Sequence, residues 1–189
     1  SGVVMEELQA SAEALLADLV SFPSLSGTPN GPIIGYIKDY FENLGITVTL
    51  DAHEDGERSN LFATIGPQID GGILLSGHSD VVPANGHGWS RDPFVLHKEN
   101  GRLYGRGAVD MKGFLAMAMA MAPAFKDAED ALQMPLHYTF TFDEEVGSFG
   151  AAQMPAFLDQ QTMKPAIAII GEPIGMQPFI GHKGGLEMI

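Results

Sequence analysis

Four short motifs in this chain carry residues suited to hydrolytic chemistry. In order they are His78-Ser79-Asp80-Val81-Val82-Pro83, Gly105-Arg106-Gly107-Ala108-Val109-Asp110-Met111-Lys112-Gly113, Asp143-Glu144-Glu145-Val146-Gly147-Ser148 and Gly171-Glu172-Pro173. Most follow an apolar, strand-like run. Together they supply one imidazole and several carboxylates, the donor mix of a two-metal hydrolytic centre.

Each motif has a chemical reading and a plainer one. His78 and Asp80 are two apart, so they share a side of an extended segment. Asp80 is then either the carboxylate that fixes a ligating imidazole or half of a surface pair. Asp110 opens an apolar helix, where an Asp either caps the helix or bridges two cations. Gly105, Gly107 and Gly113 around it permit close backbone approach. Glu144 and Glu145 leave a strand end in different directions. One can bind metal while the other takes a proton from water, or both belong to a solvated acidic loop that Asp143 enlarges. Glu172 follows the run Ile167–Ile170, where open α/β sheets place ligands, or it is a simple loop acid.

The elements that must position these residues are legible. Met5, Leu8, Ala12, Leu15, Leu16 and Leu19 recur at helical spacing, and Pro23 ends that helix. Pro32 suits the first turn of a second helix whose apolar face runs from Ile33 to Leu44, with Gly45 as its cap. Residues 46–50, 61–65, 73–76, 136–142 and 166–170 read as strands. Residues 94–97 and 102–104 flank Asn100-Gly101, a hairpin signal. Residues 110–125 read as a helix apolar on most sides and therefore buried. Within it Met117, Met119 and Met121 read as core filling. A further helix is expected near 150–160. Strands alternating with helices predict an α/β fold, a three-layer sandwich whose mixed, mostly parallel sheet is covered by helices.

Composition narrows the classes. The 189 residues are 45% hydrophobic and 18% charged, enough for one domain with a core. A net charge of -14 opposes binding to nucleic acid or anionic membrane. No run of about 18 apolar residues predicts a membrane span, and no basic-then-apolar leader opens the chain. Zero cysteines exclude disulfides and thiolate sites. A cytoplasmic enzyme is the expectation. His53, His87, His97 and His137 read as surface or packing residues, and His182 as part of a hinge or strand.

The ordered set of motifs resembles the M20 family of zinc aminoacylases and peptidases. Gly88-Trp89-Ser90-Arg91-Asp92-Pro93-Phe94 and Leu103-Tyr104-Gly105-Arg106-Gly107 match its pattern too. The resemblance implies a zinc-peptidase-like fold and metal-assisted amide hydrolysis. His78 then binds a first metal with Glu172, and Asp80 orients His78. Asp110 bridges to a second metal, which Glu145 also binds, and Glu144 is the general base. Two zinc ions serve a complete site, and cobalt is the alternative. A cis peptide between Asp110 and Met111 is also implied. The family's second metal takes a histidine near the end of its longer chains, and no residue here matches it.

The resemblance further divides the chain. Residues 1–177 form an incomplete catalytic, metal-binding domain. Residues 178–189 begin the crossing to a lid or dimerisation domain, so the longer protein is expected to be a homodimer. Ile170-Gly171-Glu172-Pro173, Met176-Gln177-Pro178 and Gly181-His182-Lys183-Gly184 point within the family to removal of an acetyl group from an N-acyl amino acid such as N-acetylornithine. Desuccinylase, carboxypeptidase and a non-catalytic binding module are the alternatives. The expected ligand is a small N-acyl amino acid, with neither nucleic acid nor membrane as partner.

Overall fold

Pro23 marks the first boundary that the sequence imposes. Helix α1, Gly2–Ser21, stops just before it, because proline has no N–H to extend the ladder. These elements come from a computed structural model that describes residues 2–85 and 88–181. His87 and the segment His182-Lys183-Gly184 lie outside the described residues. Only the second half of α1 is buried, through Leu15, Leu16, Leu19 and Val20, while Met5 stays exposed. Helix α2, Gly31–Asn43, carries Pro32 in its first turn and buries Ile33, Ile34, Ile37 and Phe41. Ile46 was expected to open a strand. Instead its N–H donates to Phe41 O at 3.0 Å and its side chain fills the core, so β1 starts at Val48.

The strands follow as β1 Val48–Ala52, β2 Ser59–Ile65 and β3 Ile73–His78, then the hairpin β4 His97–Glu99 and β5 Arg102–Tyr104. Helix α3 covers Gly113–Asp127, β6 Leu136–Thr141, α4 Phe149–Asp159 and β7 Ile167–Ile170. The five-stranded sheet has the order β1-β2-β6-β3-β7. β2 pairs antiparallel with both β1 and β6, while β3 pairs parallel with β6 and β7. Only β2 therefore runs against the others. The sheet is mixed with mostly parallel strands, as the sequence predicts.

Strand periodicity sorts side chains between two faces. Leu61, Ala63, Ile65, Tyr138 and Phe140 point to α1, α2 and α3 and form the main core with their buried residues. Phe62 and Leu74 point the other way and pack under Met154, Phe157 and Leu158 of α4. The layers are helices, sheet, helix.

Two expectations need correction. Helix α3 is not buried on most sides, because Met117 and Met121 are exposed while Met119 is buried. Residues four apart share a helix face and the one midway lies opposite, so a spacing of two splits the three methionines. β7 is likewise exposed along its length, so helices do not cover the sheet at that edge among the described residues. Residues Ala108–Asp127 are long and apolar enough to cross a bilayer by length and composition alone. Six residues of α3 are nonetheless buried in the domain core, and that accounts for the apolarity.

The chain leaves β3 for α3 on one face and leaves β6 for α4 on the other. Such a switch opens a crevice at the carboxyl ends of the strands. His78 ends β3, Glu144 and Glu145 follow β6, and Glu172 follows β7.

Gly150 lets α4 start close above this edge. A Cβ there would lie 2.5 Å from Asn60 Oδ1 and 2.6 Å from both the N and O of Phe142, whose backbone is fixed in the core. Gly150→Ala should therefore lower stability by about 1–3 kcal/mol in urea unfolding. An unchanged midpoint would show that the turn yields freely.

Candidate metal centre

The imidazole comes first, because its protons decide what it can bind. His78 is 1% exposed at its side chain. Its Nδ1 lies 3.0 Å from the backbone O of Asp80 and 3.4 Å from Asp80 Oδ1. A proton on Nδ1 is held there, which turns Nε2 toward the crevice. Nε2 faces Asp110 Oδ1 at 3.0 Å, Glu172 Oε1 at 3.7 Å and Glu144 Oε2 at 3.8 Å.

Asp110 reaches this point through an irregular turn, Ala108–Lys112, that precedes α3. Gly107 starts the turn at φ 78, and a Cβ there would sit 2.4 Å from Val81 Cγ1, so only glycine fits. The Asp110–Met111 peptide is cis, as the resemblance implied. Asp110 does not cap α3, whose cap position is Lys112 without a side-chain bond. Of its two readings, the capping one fails.

The donor atoms gather into two groups, each within 4.8 Å: His78 with Asp110 and Glu172, and His78 with Glu144 and Glu145. The first is the trio expected for one metal. The second places Glu145 beside His78 and Glu144, and Asp110 and Glu145 both line one cleft of about 380 Å³. Trp89 lines the same cleft, under the Arg106 guanidinium at 5.4 Å. One imidazole with several carboxylates fits a divalent cation of the zinc, cobalt or manganese kind.

The electrostatics agree with that fit. Burial opposes charge on His78, but Asp80, Glu172 and Asp110 outweigh it and raise its pKa to about 9. Burial raises the Glu172 and Glu145 carboxyls above the ordinary range, and the neighbouring carboxylates add to it. Asp80 goes the other way. Its burial is overcome by hydrogen bonds from His78, the Ser26 hydroxyl and the Glu144 N–H, which hold its carboxyl low.

Asp143 departs from expectation. It is no third acid of the cluster, because its carboxylate is buried and turned to Gly27 N–H and Arg58. The sequence also gave no role to Ser26, Arg58 or Lys112. Ser26 Oγ donates to Asp80 Oδ2 at 2.6 Å. Lys112 is fully buried, and its Nζ donates to Leu19 O at 2.9 Å and Phe22 O at 2.8 Å. Burial lowers its pKa to about 7. A lysine between Met111 and Gly113 in an apolar stretch was the one available signal.

The remaining described histidines lie elsewhere. His53 Nδ1 faces Gln153 Oε1 at 3.2 Å and His97 is on the β4 hairpin beside Arg91. His137 is buried between Thr64 Oγ1 at 2.8 Å and Gly71 O at 3.1 Å.

Residues 74–182 match peptidase family M20/M25/M40. Acetylornithine deacetylase of Shigella sonnei (strain Ss046) is 39% identical over 178 residues, 89% of this chain and 44% of that protein. An M20 family metallo-carboxypeptidase, Sso-CP2 of Sulfolobus solfataricus, superposes with a TM-score of 0.71 at 27% identity, covering 85% of this chain and 37% of that one. Human carnosine dipeptidase 1 shares the fold at a TM-score of 0.73 and 24% identity, over 88% of this chain and 40% of its own. The chain thus spans less than half the length of these relatives. A match that takes in His78, Asp110, Glu144, Glu145 and Glu172 places this chain in peptidase family M20/M25/M40, a family of metal-dependent hydrolases.

Proposed function

We propose that this chain is the catalytic portion of a longer metal-dependent amide hydrolase that removes an acyl group, foremost acetyl, from an N-acyl amino acid such as N-acetylornithine. The observation that carries the reading is His78 Nε2 facing three carboxylates at the carboxyl edge of the sheet. The 39% identity to an acetylornithine deacetylase supports the substrate class. A carboxypeptidase is the second reading, favoured by the likeness to the Sulfolobus metallo-carboxypeptidase. Release of acetate, as against release of a C-terminal amino acid, separates the two.

In this reading His78, Asp110 and Glu172 would hold one divalent cation, and Glu145 with Asp110 a second. When bound, the cations supply Lewis acidity to the amide carbonyl and make water more acidic. Glu144 is left to carry protons. Its carboxylate is 38% exposed, so water reaches it. It accepts the proton of the attacking water and returns it to the departing amine nitrogen. Asp80 keeps the Nδ1 proton of His78 in place throughout. Zinc suits this donor set, and cobalt is the alternative.

Glu144→Gln in the longer protein should lower kcat about 10²–10⁴-fold with metal content unchanged. Retained turnover would remove Glu144 from the chemistry. Among the described residues Asp110 and Glu145 offer a second cation no imidazole of its own, a poor zinc site, so the 189-residue chain should bind at most one zinc tightly. The longer protein should bind two. Metal analysis of both proteins decides this.

The pH dependence has a definite sign. The folded pKa of His78 is raised from 6.5 to about 9. Without metal, its contribution to stability is therefore full below 6.5 and is lost as pH rises through about 9. The raised carboxyls of Glu145 and Glu172 act in the same sense at lower pH. A cation must displace the His78 proton, so the rise in Tm on adding zinc should grow from about pH 6 to about pH 8. Calorimetry with and without zinc reads it, and a shift independent of pH would count against His78 as a ligand.

A further inference from the structure

The turn that presents Glu144 is gripped from two sides, and only one grip belongs to the metal centre. On the inner side, Asp80 Oδ1 accepts Glu144 N–H at 3.0 Å and Oδ2 accepts Glu145 N–H at 3.3 Å. On the outer side the preceding residue, Asp143, turns away from the crevice with its backbone at φ 53. Its side chain is 2% exposed. Oδ1 accepts Gly27 N–H at 2.7 Å, and Oδ2 accepts a hydrogen bond from Arg58 Nη1.

Arg58 stands just before β2, outside every motif. Its guanidinium is already oriented when it meets Asp143. Nε and Nη2 donate to Asp55 Oδ2 at 2.7 and 2.6 Å, and the group lies over the Phe142 ring at 5.5 Å. A planar fork can hold two carboxylates in fixed directions, which an ammonium cannot do. Without this partner the Asp143 charge would be buried and half satisfied, and the turn would move to rehydrate it. Glu144 is the next residue along the chain, so its carboxylate would move too.

We propose that Arg58 is a positioning residue for Glu144, acting through Asp143. The proposal rests on the proton-carrying role given to Glu144 above. Misplacement of a reacting group by about 1 Å costs up to about 10²-fold in rate. The loss falls on kcat, since Arg58 lies away from the cleft that would hold substrate.

The test is a double-mutant cycle in the longer, metal-loaded protein. Arg58→Gln should lower kcat about 10–100-fold with KM and metal content within twofold. Arg58→Lys should recover part of the loss, and Asp143→Asn should reproduce it. In a Glu144→Gln background, Arg58→Gln should add no further loss, because it acts only through Glu144. A role confined to stability predicts the opposite, a lower Tm with kcat preserved or equal losses in both backgrounds, and either result overturns the proposal. If Arg58→Gln does not fold, Arg58→Lys is judged by the same cycle. Amide hydrogen exchange supplies a readout independent of turnover. The Glu144 and Glu145 amides should exchange at least tenfold faster in Arg58→Gln while those of β3 do not change. If the parent protein hydrolyses no N-acyl amino acid or peptide, the functional reading fails, and exchange alone decides whether the clamp exists.

Discussion

One buried carboxylate, that of Asp80, ties the carboxyl edge of the sheet together. It accepts the Ser26 hydroxyl from the segment after α1 and the Glu144 and Glu145 amides from the turn after β6, and it sits beside His78 Nδ1 at the end of β3. A lone buried carboxylate is costly, and four donors from three segments remove that cost. The same contacts bring the imidazole and the acidic turn to one place. The crevice geometry therefore depends on a group whose spacing from His78 reveals only one of these contacts.

Support around Asp80 is backbone as much as side chain. Val81 N–H donates to Ser24 O at 2.9 Å and Ser26 N–H to Val81 O at 3.1 Å, so the segment after α1 runs beside the segment after β3 as a short parallel bridge. Lys112 fastens the end of α1 to the turn that carries Asp110. Helix, turn and strand end thus form one rigid frame, which suits a site built on regular elements.

Much of this was legible in the residues. Periodicity located α1, α2 and the core strands, and Pro23, Pro32 and Gly45 set boundaries close to those observed. His78, Asp110, Glu144, Glu145 and Glu172 all stand out in short motifs, and they meet in one crevice. What escaped were interactions between distant positions. Asp143 looked like a neighbour of Glu144 with the same destiny, yet a left-handed backbone turns it into the protein. Arg58 lies outside every motif, and nothing beside it in sequence points to Asp143. The methionines of α3 looked like core because apolar composition reports nothing about which face has a partner. Local pattern carries type and period, whereas the contacts that orient a side chain are set by tertiary pairing.

The bond between Gly27 and Asp143 spans 116 positions, and those from Lys112 to Leu19 and Phe22 span 93 and 90. Contacts so far apart in sequence carry a large loop-closure cost, as the central strand pairs also do. The acidic turn therefore acquires its shape only together with the long-range pairing of the sheet. During synthesis, the early acidic motifs leave the ribosome long before their partners exist. A nascent chain that has not reached Glu172 holds the imidazole of His78 and some of the carboxylates without the geometry that gathers them.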